Sequence, residues 1–443
     1  MGDVQALKRK VCERIDAHRD QIFALGEDIR VHPELGFKEF RTAEIVADHF
    51  GRLGIPHETG VAVTGVKGML AGRQSNATVA YLGELDSVLV RGHPDADPDT
   101  GAAHACGHNA QIANLIALAY GLVEGGAMDA LDGNVALMAV PAEEYVEVEY
   151  RLGLKRQGAI EFLGGKPEMI RLGAFDGVDM AMMTHQTSRA EPGLMSVGGP
   201  SNGCLVKLIR YVGKASHAGG SPHQGVNALK AAMLALQAID ANRETFKDED
   251  HIRVHPIVTK GGELVNVIPA DVRLETYVRG ASVDAIVAAA HKVDRSLRAG
   301  AMAIGATLEL TTLPGYLPRL VHQGLVEVYH ENAAALVGAD QWWEPSFGAG
   351  STDMGDVSHI MPAIEANAKG CTGTGHGADF FVSDPEMAYL APAKVAAMTL
   401  IDLLVDGAAR AREIKAATKP AMTKESYLDF MRGLAQDVVW KEE

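Results

Sequence analysis

Several apolar runs of the chain are each followed, within a few residues, by side chains that bind metal ions, and this arrangement is the strongest constraint on the fold. Residues 78–82 precede Asp86, residues 135–140 precede Glu143 and Glu144, and residues 180–183 precede His185. In an open α/β sheet the rigid strand ends hold side chains that the loops leave accessible. The pattern therefore predicts an α/β protein whose site lies at one edge of a buried sheet.

A second group of candidate ligands lies in loops. Cys106 and His108 are two positions apart, so both side chains face one cation when the loop turns. An apolar pattern typical of a helix starts at His108 and anchors this loop to a rigid element. His376 lies in the glycine-rich stretch 373–377. Thiolate, imidazole and carboxylate ligands together suit Mn²⁺, Zn²⁺ or Co²⁺, and ligand softness alone does not select one of them.

The chain of 443 residues is too long to fold around one hydrophobic core of ordinary size, which indicates two or three domains. N-terminal helical stripes and the strand-like runs after them predict a three-layer catalytic domain with a central mixed sheet. Residues 200–313 show the order β-α-β-β-α-β, which is typical of a ferredoxin-like unit. We therefore predict a catalytic domain over residues 1–199 and 314–443, interrupted by an inserted α+β lid domain at 200–313. A final helix is predicted over residues 424–439.

Composition and charge exclude several classes of protein. The net charge of −16 argues against nonspecific nucleic-acid binding, which needs basic patches to displace counterions. Because no signal core opens the chain and no run of about 18 apolar residues is evident, we predict a cytoplasmic protein without a membrane span. The four cysteines are widely scattered, which fits a reducing compartment and disfavours a disulfide framework.

Five ordered motifs carry a resemblance to a known family. They are His32-Pro33-Glu34-Leu35-Gly36, Pro141-Ala142-Glu143-Glu144, Ser216-His217-Ala218-Gly219-Gly220, Val265-Asn266-Val267-Ile268-Pro269 and Gly350-Ser351-Thr352-Asp353. The chain resembles the metallopeptidase and amidohydrolase family of aminoacylases, carboxypeptidase G and the hydrolases of indoleacetyl-amino acids. It is most similar to the aminobenzoyl-glutamate hydrolase branch, in which Asn follows the second His, as Asn109 does here.

The resemblance implies a role for each candidate residue. The implied metal ligands are Cys106, His108, Glu144, His185 and His376. Glu143 is the implied general base, because adjacent residues at a strand end point in different directions and one carboxylate is left to take a proton from water. His217 matches a histidine that helps to hold an oxyanion. Asn266 and Arg279 match residues that hold the substrate carboxylate, for which the planar fork of arginine is suited.

The number of metal ions is left at one or two per subunit, Mn or Zn. Two-metal members of the family place a His two residues before the Asp that corresponds to Asp86, whereas this chain has Glu84 there. Asp86 is therefore expected to orient a ligand and not to bind the metal itself. Residues 145–165 look like an insertion relative to the family, and they form either a surface flap or a wall that faces the substrate.

These observations predict metal-dependent hydrolysis of a C–N bond in a small, carboxylate-bearing and aromatic substrate, namely an N-acyl or aminobenzoyl amino acid. One alternative is an aminohydrolase that releases ammonia from an aromatic amino acid such as a nitroanthranilate. The other is a non-catalytic metal-binding protein, which the intact Glu143 disfavours. Because some relatives dimerise through the lid and lend the histidine to the partner's site, a homo-oligomer is expected.

Overall fold

The computed structural model describes residues 2–188 and 192–441, which form two compact units. Unit 1 comprises Met1–Gly199, Leu320–Phe347 and Asp356–Lys424, and unit 2 comprises Pro200–Arg319, Gly348–Gly355 and Glu425–Glu443. The predicted domain borders stay a prediction. The compact units differ from them, since residues 314–319, 348–355 and 425–441 lie in unit 2 and not with the catalytic segments.

The regular elements of the described chain are as follows. The helices are α1 (Gly2–Ala17), α2 (Arg19–Arg30), α3 (Phe40–Arg52), α4 (His108–Glu124), α5 (Val148–Arg156), α6 (Gly165–Leu172), α7 (Ala228–Ala241), α8 (Val283–Ile304), α9 (Gln323–Val337), α10 (Met354–Ile360), α11 (Ala391–Leu404), α12 (Ala409–Ala417) and α13 (Lys424–Leu434). The strands are β1 (His57–Val61), β2 (Gly65–Leu70), β3 (Thr78–Glu84), β4 (Val88–Leu89), β5 (Ala102–Ala103), β6 (Asn134–Val140), β7 (Met180–Gln186), β8 (Met195–Val197), β9 (Gly203–Val212), β10 (Arg253–Val254), β11 (Ile257–Lys260), β12 (Asp271–Gly280), β13 (Thr307–Pro314), β14 (Ala363–Ala368), β15 (Cys371–Thr372), β16 (Phe381–Val382) and β17 (Gln436–Trp440).

Unit 1 contains a mixed sheet of seven strands in the order β1-β2-β6-β3-β7-β14-β8. The four central strands β6, β3, β7 and β14 are mutually parallel, and the outer pairs are antiparallel. All seven residues of β3 are buried. Its apolar run is therefore continuous and not alternating, as expected of a parallel strand covered on both faces. Together with the ferredoxin-like unit described below, this sheet confirms the predicted fold class.

Two apolar helices of unit 1 are almost completely buried, namely α4 and α11. Helix α4 packs on β3 and also contacts α1 and α11. Within the described residues, the segment Glu386–Leu404 is long and apolar enough to cross a membrane, but 94% of it is buried inside the protein. The expectation that the chain has no apolar run of about 18 residues is therefore wrong. Its burial is that of a core helix, because an apolar helix that is covered on every side belongs to the interior of a large protein.

Unit 2 is built on an antiparallel sheet in the order β10-β12-β9-β13-β17, with β11 paired to β12. Strand β12 alternates, since Val272, Leu274 and Val278 are buried against the α7 and α8 side while Arg273 is exposed. The first and last strands of the predicted β-α-β-β-α-β unit, β9 and β13, pair in the centre of the sheet. The ferredoxin-like order is thus confirmed.

The predicted C-terminal helix over residues 424–439 is wrong in its last five residues. Helix α13 ends at Leu434, and β17 then pairs with β13, so that Val438 lies opposite Leu310. The pair Val438-Val439 and the following Trp440 belong to the residue types that favour strands, and Gly433 weakens the preceding helix. Strand β17 covers the edge that β13 would otherwise expose.

Candidate metal centre

The four parallel strands of unit 1 bring the predicted ligands to one edge of the sheet. Strand β3 ends at Glu84 and is followed by Asp86, β6 is followed by Glu143 and Glu144, and β7 contains His185 near its end. Because the carboxyl ends of parallel strands lie at the same edge, residues far apart in the chain converge there. The expectation that the site lies at strand ends is met, with the detail that His185 is still part of its strand.

A glycine between Cys106 and His108 sets the direction of the two side chains. Gly107 has φ 91°, a left-handed conformation that side chains other than glycine rarely adopt. A Cβ atom there would also lie 2.8 Å from Cβ of Gln186. Gly107 thereby turns the chain sharply, so that His108 begins helix α4 directly after the loop that carries Cys106.

Two histidines have their ring protons fixed by carbonyl groups. Nδ1 of His108 lies 2.9 Å from the carbonyl oxygen of Asp86, and Nδ1 of His185 lies 2.7 Å from that of Gln186. A carbonyl oxygen only accepts, so Nδ1 must donate in both rings. The lone pair of the neutral ring is then on Nε2, which is the arrangement of metal-binding histidines.

The ligand atoms form two groups that share one sulfur. Cys106, His108 and His185 make the first group, and Cys106, Glu144 and His376 make the second; within each group the ligand atoms lie within 4.8 Å of one another. Sγ of Cys106 is 3.4 Å from Nε2 of His185 and 3.3 Å from Nε2 of His376. The same His376 nitrogen is 3.0 Å from Oε1 of Glu144.

The second group depends on a strained loop. His376 has φ 61°, which is uncommon outside glycine, and its N–H donates to the carbonyl oxygen of Ala105 at 2.8 Å. This backbone bond ties the loop of His376 to the loop of Cys106. A non-glycine residue held in this region stores strain of about 1–3 kcal/mol, and such residues cluster at ligand sites.

The electrostatics of the centre favour a cation. Burial raises the pKa of the Cys106 thiol well above its usual range, and the carboxylates of Glu144 and Glu143 raise it further. Burial alone would lower the pKa of His108, but Glu84 and Asp86 outweigh it and raise that pKa to about 10. Both shifts report the same negative field, and a bound cation would displace the two protons.

The residues present fit a divalent metal ion. Nε2 of His108 is buried and makes no hydrogen bond of regular geometry within the described residues, although Oε2 of Glu84 lies 3.0 Å away. The donor set of thiolate, imidazole and carboxylate is one that Zn²⁺ and Mn²⁺ both accept. A cation at this point would satisfy that nitrogen and offset the negative field.

Asp86 contacts two of the proposed ligand residues but belongs to neither ligand group. Its Oδ1 lies 3.2 Å from Nδ1 of His108, and its Oδ2 accepts the backbone N–H of Glu144 at 2.9 Å. The carboxylate is fully buried. Through these contacts it holds the His108 ring and the Glu144 backbone in place; its role as a group that orients ligands stays a prediction.

Glu143 lies in a third group with Glu84 and His108, whose ligand atoms are also within 4.8 Å of one another. Glu84 accepts a bond from Nζ of Lys166 at 2.5 Å and one from Nε2 of Gln111 at 2.7 Å. Burial would raise the pKa of Glu84, but Lys166 and His108 lower it to about 2. Glu84 is thus held as an anion beside Glu143.

Sequence reasoning missed Lys166. The side chain is fully buried, begins in the first turn of α6 and reaches the edge of β3. A lysine after two glycines gives no periodic pattern that would predict burial. The only available hint was Glu84 itself, since a buried carboxylate at a strand end needs a cationic or hydrogen-bonding partner.

The other three predicted residues lie in unit 2. Nδ1 of His217 accepts the backbone N–H groups of Gly220 at 2.9 Å and Gly219 at 3.2 Å. The ring hydrogen is therefore on Nε2, which is free to donate. The segment of Asn266 pairs with this loop, because the N–H of Ala218 donates to the carbonyl oxygen of Asn266 at 2.9 Å.

Arg279 lies near the end of β12 in unit 2. Its Nη1 donates to Oγ of Ser351 at 3.0 Å, and its Nε donates to Nε2 of His255 at 3.3 Å. The guanidinium also lies 5.3 Å from the ring centroid of Tyr277. These contacts fix the direction of the planar fork.

Known proteins show the same organisation. Residues 206–301 match the M20 family model described as the peptidase dimerisation domain. The chain is 31% identical over 387 residues to the Xaa-Arg dipeptidase of Mus musculus, and this alignment covers 82% of the chain and 80% of the relative. The chain belongs to the M20 family. It is accordingly a hydrolase that acts on C–N bonds, and the hypothesis of a non-catalytic metal-binding protein is set aside.

Solved structures share the fold of this M20 chain. One is similar to it with a TM-score of 0.65 and 21% identity, covering 88% of this chain and 99% of the other; it is a dinuclear metal-binding peptidase of the M20 family from Bacillus subtilis. Another is the aminobenzoyl-glutamate utilization protein of Klebsiella pneumoniae, with a TM-score of 0.66, 20% identity and coverage of 88% and 97%. At these identities the likeness shows the fold alone.

Substitution of single ligands should separate the two groups. Cys106→Ala is expected to lower the metal content of both groups, whereas His185→Ala or His376→Ala should affect one group each, because only Cys106 is shared. Mass spectrometry of metals in the purified, reloaded variants measures this. Cys371→Ala, which removes another buried thiol of unit 1, is the control. Unchanged metal content in Cys106→Ala would contradict the assignment.

Proposed function

We propose that this M20 hydrolase cleaves the amide C–N bond of a small, carboxylate-bearing N-acyl or aminobenzoyl amino acid in a metal-dependent reaction. The observation that carries the proposal is the position of Glu143, a buried carboxylate within 4.8 Å of the ligand atom of His108 and adjacent in sequence to Glu144. A hydrolase needs a base beside its activated water, whereas a pure metal store does not.

The metal is proposed to be held by the residues of the two groups, with Cys106 common to both. Mn²⁺ or Zn²⁺ would supply Lewis acidity and lower the pKa of water toward neutrality. Two ligand groups that share a thiolate favour two ions per subunit over one. In support, the Bacillus subtilis protein of the same fold is described as dinuclear.

Glu143 is proposed to take a proton from the attacking water and to pass it to the leaving nitrogen. Its neighbour Glu84 is an anion paired with Lys166, so the two carboxylates have different partners. Different environments for two neighbouring carboxyl groups commonly divide their tasks in this way.

The substrate groups are proposed to be recognised from unit 2. Nε2–H of His217 is the proposed donor to the oxyanion that forms from the amide carbonyl. Arg279 is the proposed partner of the substrate carboxylate, because a preoriented guanidinium donates two parallel hydrogen bonds to it. Asn266 would add a neutral donor to the same carboxylate. The dimerisation domain supports a homo-oligomer through unit 2.

Removal of the proposed base should stop turnover and leave the centre assembled. Glu143→Gln keeps the shape of the side chain but cannot accept the proton, so kcat is expected to fall by roughly 10²–10⁴ with unchanged metal content. Steady-state kinetics with metal analysis measures both. Glu149→Gln, an exposed carboxylate of α5, is the control. Near wild-type turnover of Glu143→Gln would show that Glu143 is a bystander.

Arg279→Ala should weaken a carboxylate-bearing substrate far more than the same molecule made as a neutral amide. The charge-assisted pair is lost in the first case only. Comparison of kcat/KM for the two substrates measures this. Arg253→Ala serves as the control, because Arg253 is exposed and lies opposite Arg279 in the pairing of β10 with β12. Equal losses for both substrates would place Arg279 outside the recognition of the carboxylate.

The products distinguish amide cleavage from the release of ammonia from an aromatic ring. In water labelled with heavy oxygen, aminobenzoyl-glutamate should yield aminobenzoic acid with the label in its carboxyl group and free glutamate, both detected by mass spectrometry. Nitroanthranilate incubated in parallel should remain unchanged. Label found as a ring hydroxyl with ammonia released, while the amide stays intact, would favour the aminohydrolase instead.

A further inference from the structure

Residues 145–165, the segment that follows the two glutamates and looks like an insertion, contain a completely buried charged side chain. Helix α5, Val148–Arg156, is short, and its Arg156 and Glu149 are exposed. Arg151 on the same helix is completely buried. An arginine without solvent exposure is rare unless its donors are used, so its contacts indicate what the segment does.

Arg151 donates to carbonyl groups on both sides of Glu143. Its Nη1 donates to the carbonyl oxygen of Leu163 at 2.6 Å and to that of Ala142 at 3.4 Å. Its Nη2 donates to the carbonyl oxygen of Glu144. One planar group therefore holds the Ala142–Glu143 peptide and the Glu144–Tyr145 peptide, which lie on either side of the two glutamates.

The backbone that Arg151 holds is strained. Ala142 has φ 51°, a conformation that a residue with Cβ adopts at a cost of about 1–3 kcal/mol. Its N–H donates to Oε1 of Glu39 at 2.7 Å, and its carbonyl also accepts the N–H of Gly165 at 3.1 Å. Such a conformation persists only when its surroundings over-determine it, and Arg151 is one of the groups that do so.

The pocket around the guanidinium is built for it. Its central carbon lies 5.4 Å from the ring centroid of Phe37 and 5.8 Å from that of Tyr145, distances at which aromatic faces attract a cation. A Cβ on Gly36 would lie 2.4 Å from Nη2. The His32–Gly36 motif near the start of the chain thus leaves room for a side chain that enters from the insertion.

We propose that Arg151 is a positioning residue, which holds the Ala142–Glu144 turn so that Glu143 and Glu144 keep their directions toward water and metal. The inference rests on the function proposed above. It also gives the inserted segment a role that is neither a surface flap nor a wall facing the substrate. Lysine would not replace Arg151, because a single ammonium lacks the planar fork that reaches three carbonyls.

The test uses the Co²⁺-loaded enzyme, whose visible spectrum reports the geometry of the ligand set without any substrate. Arg151→Met and Arg151→Lys are compared with wild type, with Arg156→Met as the matched control on the same helix. Both Arg151 variants should shift the spectrum and lower Co²⁺ affinity, measured by chelator competition, by roughly the 10–100-fold typical of a lost outer partner. The control should change neither.

Kinetics on aminobenzoyl-glutamate provide the second measurement. Loss of positioning should lower kcat and leave KM nearly unchanged, because Arg151 binds the carbonyl groups of the residues on either side of the proposed base. The urea midpoint of each variant shows whether it is folded. If Arg151→Met does not fold, Arg151→Lys, which keeps the positive charge, is used for the comparison.

Each result decides one question. A spectrum and affinity equal to wild type in folded Arg151→Lys and Arg151→Met, with only the urea midpoint lowered, would reduce Arg151 to a structural residue and overturn the proposal. If wild-type enzyme leaves aminobenzoyl-glutamate intact while the Co²⁺ measurements behave as expected, the proposed substrate is wrong and the positioning role stands.

Discussion

Negative charge gathered at the edge of a buried sheet is the constraint on which the centre of this M20 hydrolase depends. Four carboxylates, those of Glu84, Asp86, Glu143 and Glu144, follow two neighbouring parallel strands. Ionised groups in such surroundings are costly unless each is paired or hydrogen-bonded. The protein meets this with Lys166 at Glu84, with backbone and histidine donors at Asp86 and with His376 at Glu144. A divalent cation at Cys106 would complete the compensation.

The groups that offset the negative charge differ in burial from one side of the centre to the other. Lys166 and Glu84 are fully buried, whereas the His376 side chain is 54% exposed. The Glu84 carboxylate is therefore paired with Lys166 away from water, whereas the His376 side chain is accessible to water. The His376 loop is attached to the Cys106 loop by the hydrogen bond from the His376 N–H to the Ala105 carbonyl.

The sequence was sufficient for the fold class and for the residues whose spacing repeats the family motifs. Continuous apolar runs predicted β3, β6 and β7, and β-α-β-β-α-β order predicted the sheet of unit 2. It failed where tertiary contacts decide. Lys166 and Arg151 look like solvated bases because nothing local shows that they enter the interior, and β17 was taken for helix because its pairing partner β13 lies more than a hundred residues away.

The apolar segment Glu386–Leu404 has a consequence for how the chain is made. Every strand of the seven-stranded sheet precedes it in sequence, and so does α4, against which α11 packs. During synthesis, the strands of the sheet and helix α4 have therefore already left the ribosome when the segment emerges. A permuted chain that began with these 19 residues would present them first, with the length and hydropathy by which nascent chains are directed into a bilayer.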